Sequence, residues 1–176
     1  GLSIGGMIGQ AFALEHGHKL ISAMWCDTLP ASPPGAAETW GPRMAAVRSA
    51  NSLAPIADAS MDRYLSPTFQ AKNPGRWQQL RDTVVGTTPA GYLGCSAAIL
   101  DFDFVARLPS LRLPLLVVCG EHDAGTPASE NRRLAGLVPG ARYEEIAGMR
   151  HFPNVEAPAA FNRIMLGWLD AQRKAS

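Results

Sequence analysis

The sequence predicts an α/β protein with a mostly parallel sheet flanked by helices. Three short, β-rich segments, at 20–26, 115–119 and 141–147, alternate with longer segments that have helical periodicity. The segment at 115–119 is apolar throughout, which is typical of a parallel strand that is covered on both faces. The chain also begins with the pattern Gly-x-Ser-x-Gly, which favours a sharp turn from a strand into a helix.

The opening pattern predicts a nucleophile elbow with Ser3 at its tip. Glycine on either side of the serine suits a turn that is too tight for a Cβ atom. The helix that follows is expected to end at Gly17 as a C′ glycine. Its small residues would let it pack closely on a sheet: Gly5, Gly6 and Gly9. The alternative is a glycine-rich helix start at which Ser3 serves only as the N-cap.

Asp123 is the candidate catalytic acid. It lies just past the C-terminal end of the strand at 115–119, where α/β sheets place their chemistry. A helix is predicted from Pro127 to about Leu137. Glu121 is a rival acid, but it lies closer to the strand end. The alternative for Asp123 is a carboxylate that only caps a turn or a helix.

His151 is the candidate base, because it directly follows the predicted strand at 141–147. Asn154 is predicted to cap a final amphipathic helix over 155–171, and five residues form its apolar stripe: Phe161, Ile164, Met165, Trp168 and Leu169. The other histidines are interpreted as solvated or supporting residues: His16, His18 and His122. A metal pair at 16 and 18 is rejected because no third ligand lies nearby, and no metal is expected.

Serine, aspartate and histidine together predict acyl transfer. A serine hydroxyl is a poor nucleophile until a base takes its proton, and neutral histidine can take that proton and return it to the leaving group. A buried carboxylate fixes the histidine tautomer. The backbone N–H of Ile4 would be one oxyanion donor. The second normally comes from a loop after an early strand, which this sequence does not contain.

Six segments carry a resemblance to a known family: 1–10, 38–40 with Arg43, 88–92, 120–123 with 126–127, 139–143, and His151 with 154–156. The chain resembles the α/β-hydrolase superfamily, which shares the order serine, aspartate, histidine. More narrowly, through the segments around Trp40 and Tyr92, it resembles the 3-oxoadipate enol-lactonases of the protocatechuate branch of the β-ketoadipate pathway. The resemblance implies that Ser3 is the nucleophile, Asp123 the acid and His151 the base of a carboxylic ester or lactone hydrolase of the EC 3.1.1 type. No cofactor is expected.

The resemblance also implies a helical lid. Helical patterns fill the stretch between the first and second predicted strands, near 38–51, 56–64, 74–85 and 91–100. Helices inserted between two core strands form a cap that excludes water and shapes the substrate site. The predicted domains are a hydrolase core at 1–29 and 106–176, and a cap at 30–105.

The implied lactone carries a carboxylate away from its scissile ester, and arginine is the side chain best suited to bind it. The candidates are Arg43, Arg48, Arg63 and Arg81, each with the alternative of a solvated helix face. Arg43 beside Trp40 is preferred, and Trp40 and Tyr92 are expected to be apolar walls of the site.

Composition and charge argue against several classes of protein. A net charge of +1 gives no electrostatic basis for nucleic-acid or membrane binding. No apolar run approaches the ~20 residues of a transmembrane helix, and no signal peptide is expected. Cys26, Cys95 and Cys119 are predicted to be reduced, buried thiols of a cytoplasmic protein.

Because an α/β-hydrolase sheet has several strands before the elbow, the sequence is expected to be a fragment whose N-terminal half must come from elsewhere. Two alternatives to an enol-lactonase stay open. One is another esterase or a perhydrolase that uses the same three residues. The other is a truncated, non-catalytic remnant.

Overall fold

The computed structural model describes residues 1–175, which form two compact units. The first unit joins Gly1–Ala31 to the described residues from Asp103 onward, and the second is Ser32–Phe102. The segment predicted as a cap, 30–105, starts two residues before the second unit and ends three residues after it. Its role as a lid stays a prediction.

The first unit is built on a parallel sheet, which confirms the predicted fold class. Among residues 1–175 the sheet has three strands, in the order β1 (Ala23–Cys26), β2 (Leu115–Gly120) and β3 (Arg142–Ile146). The register pairs Ala23 with Leu115 and Leu116 with Arg142. Because all three strands are parallel, their carboxyl ends lie at the same edge of the sheet.

The chain start adds a short strand-like pairing to the free side of β1. Leu2 forms a parallel bridge with Cys26. The Cys26 N–H donates to the Gly1 carbonyl at 2.8 Å, and the Ser3 N–H donates to the Cys26 carbonyl at 2.9 Å. The elbow therefore lies beside the carboxyl end of β1.

Helices cover both faces of the sheet. They are α1 (Ile4–His16), α7 (Ala128–Leu137), α8 (Pro153–Glu156) and α9 (Pro158–Ala175). On one face, buried side chains of α1, α7 and the sheet form a core cluster that includes Ala13, Trp25, Leu115, Val117 and Leu134. On the other face, Trp168 of α9 packs with Cys26, Leu116, Val118 and Ile146. Every residue of β2 is buried, as its continuous apolar sequence predicts.

The predicted end of α1 and the predicted start of β1 are both wrong in detail. Gly17 follows α1 in right-handed helical geometry and opens a 3-10 turn, Gly17–Lys19, so it is not a left-handed C′ residue. The Leu20 N–H closes that turn on the Gly17 carbonyl at 3.0 Å, which delays the start of β1 from the predicted Leu20 to Ala23.

The single final helix predicted over 155–171 is two helices. Proline cannot continue a helix backbone; α8 ends at Glu156, and after Ala157 the helix α9 begins at Pro158. Asn154 therefore lies inside α8 and does not cap the long helix. Leu169, predicted on the apolar stripe, is 50% exposed.

At two of the three predicted packing glycines of α1, neighbouring side chains leave no room for a Cβ atom. A Cβ at Gly6 would lie 2.7 Å from the Thr28 side chain, and one at Gly9 would lie 2.8 Å from the Trp25 indole nitrogen. A Cβ at Gly5 would meet no described atom within 4 Å. The expectation that Gly5 is required by crowding is therefore wrong.

The second unit is helical. Its elements are α2 (Ala36–Ala50), α3 (Ala54–Tyr64), α4 (Pro67–Lys72), α5 (Pro74–Val85) and α6 (Pro89–Leu100). Val47, Leu53 and Ile56 form its buried cluster. Its two ends are joined, because the Ser32 N–H donates to the Phe102 carbonyl at 2.8 Å. In the first unit, the flanking residues Ala31 and Asp103 form an antiparallel bridge.

Two further expectations have different outcomes. Cys26 and Cys119 are buried as predicted, but Cys95 on α6 is exposed, so it is not a buried thiol. Within residues 1–175, no helix combines the length and the apolar character that a membrane crossing requires.

Candidate active site

Ser3 occupies a strained backbone position between the edge of β1 and the start of α1. Its φ of 55° and ψ of −122° lie outside the regions that non-glycine residues favour. Such a conformation costs of order 1–3 kcal/mol and persists only where the surroundings impose it. At Gly1 the surroundings are crowded, because a Cβ there would lie 2.2 Å from the Gly5 carbonyl oxygen.

The hydroxyl of Ser3 does not cap α1. In the described part of the chain, no cap hydrogen bond from this side chain to the first turn is present. The Ser3 carbonyl instead accepts from the Met7 N–H at 3.2 Å and from the Thr28 hydroxyl at 2.8 Å. The alternative interpretation of Ser3 as an ordinary N-cap is therefore wrong. Ile4 is the first residue of α1, where a backbone N–H has no partner within the helix.

Asp123 lies in the loop after β2 and is 4% exposed. Its Oδ1 accepts from the Gly125 N–H at 2.8 Å and the Thr126 N–H at 3.1 Å. Its Oδ2 accepts from the Thr126 hydroxyl and bonds His151 Nδ1 at 2.6 Å. Burial raises the pKa of this carboxyl, but the hydrogen bonds and the charge of His151 outweigh burial and hold the pKa below its ordinary value.

The rival acid Glu121 has a different partner. It is exposed, and its carboxylate accepts from the Gly148 N–H at 2.7 Å, in the loop that follows β3. Of the two candidate acids, Asp123 is the one that bonds His151.

His151 follows β3 in a loop that backbone contacts fix in place, and it is 5% exposed. Gly148 makes the turn with a φ of 73°, which favours glycine. The Arg150 N–H donates to Glu156 Oε1 at 2.7 Å, which anchors the loop to α8. Because Nδ1 is bonded to Asp123, Nε2 is the ring nitrogen that can accept a proton from a nucleophilic hydroxyl.

Gly120 joins the acid loop to the base loop, and sequence reasoning assigned it no role. A Cβ at Gly120 would lie 2.1 Å from the Arg150 carbonyl oxygen and 2.7 Å from that of Met149. Just beyond it, the His122 N–H donates to the Met149 carbonyl at 2.8 Å. A side chain at the last residue of β2 would therefore push the two loops apart. A glycine that ends the predicted strand, shortly before the candidate acid, is the signal by which the sequence could have revealed it.

Thr126 and Asn131 were also missed. Thr126 gives Asp123 both its N–H and its hydroxyl. The side chain of Asn131, on α7, is fully buried. Its Oδ1 accepts from the Thr28 N–H at 3.0 Å, and its Nδ2 donates to the Thr126 carbonyl at 2.8 Å. Asn131 thereby ties the end of β1 to the acid loop.

These placements bring the three predicted residues to one edge of the sheet. Ser3 lies beside the end of β1, Asp123 follows β2 and His151 follows β3. Asp123 and His151 are in direct contact. A strained serine, a buried histidine and a carboxylate that orients it are the parts that nucleophilic acyl transfer requires.

The residues predicted to bind substrate cluster in the helical unit. The guanidinium of Arg43 on α2 lies 5.3 Å from the centroid of the Trp40 ring. The rings of Trp40 and Tyr92, the latter on α6, have centroids 6.3 Å apart. Burial lowers the pKa of Arg63, and the positive charge of Arg43 lowers it further. Trp40, Arg43 and Tyr92 thus lie together, and Arg63 is close enough for the charge of Arg43 to lower its pKa.

The remaining candidates are engaged or exposed. Arg81 forms an ion pair with Asp58 at 2.5 Å, and Arg48 is exposed. His16 and His18 are exposed and have ring centroids 6.3 Å apart. His122 is exposed and lies 4.0 Å from the Glu121 carboxylate.

Comparison with known proteins identifies the family. The model of the alpha/beta hydrolase family matches residues 1–164. 3-Oxoadipate enol-lactonase 2 of Acinetobacter baylyi is 28% identical over 162 residues, which cover 92% of this chain and 59% of the relative. The chain therefore spans less than two thirds of that relative.

Solved structures agree. The enol-lactonase from Burkholderia xenovorans LB400 is 30% identical with a TM-score of 0.91, over 97% of this chain and 64% of that one. A thermophilic esterase from Thermogutta terrifontis, solved with malate bound, is 26% identical with a TM-score of 0.88, over 98% of this chain and 64% of that one. The resemblance inferred from the sequence is confirmed, and the chain belongs to the alpha/beta hydrolase family.

Proposed function

We propose that this chain carries the catalytic residues of a serine hydrolase that cleaves a carboxylic ester or lactone. Ser3 is the nucleophile, His151 the general base and Asp123 the carboxylate that orients the base. The observation that supports this proposal most is the buried 2.6 Å bond between Asp123 and His151 at the sheet edge where the strained Ser3 lies.

The proposed reaction has two steps. In the first, the Ser3 hydroxyl attacks the ester carbonyl while His151 Nε2 takes its proton, and the leaving alkoxide receives that proton as the ester bond breaks. In the second, water attacks the acyl-serine by the same proton route and releases the acid. The Ile4 N–H, at the start of α1, is proposed to donate to the oxyanion in both steps. Loss of one such donor typically costs about 3 kcal/mol of transition-state stabilisation.

The proposed substrate is 3-oxoadipate enol-lactone, an intermediate of aromatic catabolism in the β-ketoadipate pathway. The enol-lactonases of A. baylyi and B. xenovorans support this choice. The esterase of T. terrifontis, which binds malate, supports a substrate that bears a carboxylate. The reaction is proposed to occur in the cytoplasm on a small molecule.

Arg43 is proposed to bind the substrate carboxylate, with Trp40 and Tyr92 as apolar walls. The charge of Arg43 acts on Arg63, which is half-buried. Two guanidinium groups that repel each other gain from an anion between them, because its charge offsets the repulsion. This physical argument favours a carboxylate ligand over a neutral one.

Fluorophosphonate labelling followed by peptide mass spectrometry tests the catalytic proposal. We expect one adduct, on Ser3, which disappears in Ser3→Ala and persists in the control variant Ser110→Ala, which removes the hydroxyl of an exposed serine. Well-folded protein without an adduct would contradict an activated Ser3 and would favour the non-catalytic alternative.

A substrate panel tests the finer proposal. Enol-lactone turnover well above that of neutral aryl esters would support the enol-lactonase assignment. Turnover of simple aryl esters without the lactone would favour another esterase. Halide oxidation in the presence of peroxide and a carboxylic acid would favour a perhydrolase, because peracid forms when peroxide replaces water as the acyl acceptor.

A further inference from the structure

We propose that Asp27 is a positioning residue of this site, a buried carboxyl that keeps its proton while Asp123 is ionised and that links the acid loop to the sheet. Its catalytic consequence rests on the proposed hydrolase function, whereas its protonation does not. Neither the sequence motifs nor the proposed reaction gives this residue a role.

The backbone places the Asp27 side chain inside the sheet edge. Asp27 directly follows β1, and its N–H extends the ladder by donating to the Val118 carbonyl at 2.9 Å. Its φ is 45°, a left-handed conformation that aspartate tolerates better than most residues. The residue is fully buried. Strain of this kind at a buried polar residue indicates that the surrounding structure holds it there.

One oxygen of Asp27 has a clear structural partner. Its Oδ1 accepts from the Gly120 N–H at 2.9 Å. Gly120 is the residue whose Cα lies against the Met149 and Arg150 carbonyls. Asp27 therefore fixes the point from which the acid loop leaves β2 and against which the base loop packs.

The other oxygen lies in a buried acidic cluster. Within residues 1–175, Asp27 Oδ2 is buried and makes no hydrogen bond of normal geometry. One oxygen of Asp27, the Cys119 sulfur and one oxygen of Asp123 lie within 4.8 Å of one another. Two carboxylates this close in a buried site do not both ionise readily. One of the two must hold a proton.

The hydrogen bonds decide which carboxyl is neutral. Asp123 receives the Gly125 N–H, the Thr126 N–H, the Thr126 hydroxyl and His151, so its negative charge is well stabilised. Asp27 receives one backbone N–H and a weak contact from the Cys119 thiol. A buried charge with so little compensation is costly, whereas a neutral carboxyl can offer its O–H to a neighbouring acceptor. The proton therefore resides on Asp27.

Electrostatics agree with this assignment. Burial, followed by the charge of Asp123, raises the pKa of Asp27 to about 8, although the Gly120 N–H and the Cys119 thiol act in the opposite direction. The titratable groups that act on Asp27 are Asp123 and Cys119, and His151 acts through its bond to Asp123. Burial also raises the pKa of the Cys119 thiol, so the sulfur stays neutral.

This arrangement predicts an alkaline loss of activity. Above pH 8, ionised Asp27 would repel Asp123 and disturb its bond to His151. One pH unit above a pKa of about 8 leaves about a tenth of Asp27 protonated, so kcat/KM of the wild-type protein on a neutral aryl ester should fall about tenfold between pH 7 and pH 9. In Asp27→Asn the neutral amide cannot ionise, so the fall between these two pH values should disappear.

Urea unfolding of the full chain between pH 4 and pH 9 tests the protonation itself. In the unfolded chain Asp27 ionises near its ordinary value of 3.8, and in the folded protein near 8. The folded state then binds one more proton between these values. The free energy of unfolding of the wild type should therefore fall relative to that of Asp27→Asn as pH rises from 4 through 8, and the fall should level off towards pH 9.

Asp103→Asn is the matched control, because exposed Asp103 also accepts a backbone N–H, from Val105 at 2.9 Å. It should show the wild-type dependence on pH in both experiments. Parallel stability curves for the wild type and Asp27→Asn would overturn the proposal, since a hydrogen-bonding role alone gives a difference independent of pH. If no variant hydrolyses any ester, the proposed function fails while the stability curves still decide the protonation of Asp27.

Discussion

The two units hold their candidate functional residues by different means. In the first unit, Asp123 and His151 are 4% and 5% exposed, and backbone hydrogen bonds fix the loops that carry them at the ends of β2 and β3. In the helical unit, Trp40 and Arg43 are partly exposed and meet through side-chain contacts on the surface of α2. The sheet edge therefore holds Asp123 and His151 in fixed positions. The surface of α2 presents a cationic and an aromatic side chain whose final arrangement depends on the ligand.

This difference separates the expected effects of substitution. Changes in the buried network of the first unit should lower kcat on every ester, because they act on groups that the proposed transition state shares. Changes in the arginine and aromatic cluster of the helical unit should alter KM on substrates that carry a carboxylate and spare neutral ones. A variant of the buried network that changed only KM, or a variant of the arginine and aromatic cluster that lowered kcat on every ester, would contradict this distinction between the two units.

His151→Asn should have the largest effect. Removing the base of a serine hydrolase triad lowers kcat by about 10⁶-fold in a well-studied case, and a loss of this order is expected on every ester. His122→Asn is the matched control, because His122 is exposed and lies on the neighbouring acid loop. Steady-state kinetics on an aryl ester measures both. A loss below tenfold in His151→Asn would remove this residue from the proposed mechanism.

Gly120→Ala should have the next largest effect. The added methyl would overlap the Arg150 and Met149 carbonyls, which are backbone atoms that cannot rotate away. Overpacking typically costs about 1–3 kcal/mol of stability, and kcat should fall as the acid and base loops separate. Urea unfolding and aryl-ester kinetics measure the two losses.

Gly136→Ala on α7 is the comparison for that variant. Its Cβ would meet no described atom within 4 Å, so it should be neutral or stabilising by about 0.5–1 kcal/mol. Equal stability of the two alanine variants would show that the loops tolerate more space at Gly120 than the contacts imply.

Thr126→Val should have an intermediate effect. The variant removes the hydroxyl that donates to Asp123, and hydrogen bonds to charged groups contribute about 1.5–3 kcal/mol. The expected fall in kcat is therefore about 10- to 100-fold. Because that hydroxyl lowers the pKa of Asp123, the acid limb of the stability profile, measured by urea unfolding, should move to higher pH.

Thr126→Ser keeps the hydroxyl and should restore both the rate and the acid limb. The stabilisation that ionised Asp123 gives is present above its ordinary pKa of 3.8 and is lost as pH falls through its lowered folded value. Thr126→Val should therefore lose stability at a higher pH than the wild type does. An unchanged acid limb in Thr126→Val would mean that this hydroxyl does not act through Asp123.

Arg43→Ala should have the smallest and most selective effect. We expect about a tenfold rise in KM for the enol-lactone, as for one lost charge-assisted hydrogen bond, with neutral aryl esters unchanged. Arg48→Ala on the same helix is the control, because Arg48 is exposed. An equal loss on both substrates in Arg43→Ala would sink the assignment of Arg43 as the carboxylate ligand.

The sequence predicts the sheet and its chemistry because both depend on local patterns. The apolar run of β2 and the polar residues directly after it place Asp123, and the same reasoning places His151. Pro158 was also visible, yet a single helix was predicted across it, because the apolar spacing continues on both sides. The six residues of α4 are too few for a periodic pattern to emerge.

The supporting network could not be predicted, because it joins distant parts of the chain. The bond between Thr28 and Asn131 spans 103 positions, and that between Asp27 and Gly120 spans 93. A short polar residue after a strand has many uses, and its partner becomes visible only when the register of β1 and β2 is known. Strain at Asp27 has no local sequence signal.

The helical unit has its two ends close together. Its first and last residues, Ser32 and Phe102, are hydrogen bonded, and beside them Ala31 and Asp103 form a bridge. Insertions are tolerated best where the two ends of a segment lie close together. The segment from 32 to 102 is thus suited to replacement by the corresponding segment of a relative. A chimera that carries the helical segment of a relative between Ala31 and Asp103 should keep the bond between Asp123 and His151, and fluorophosphonate labelling of Ser3 would report whether the serine stays activated. The chimera should differ from this protein in the carboxylate-bearing substrates that it hydrolyses.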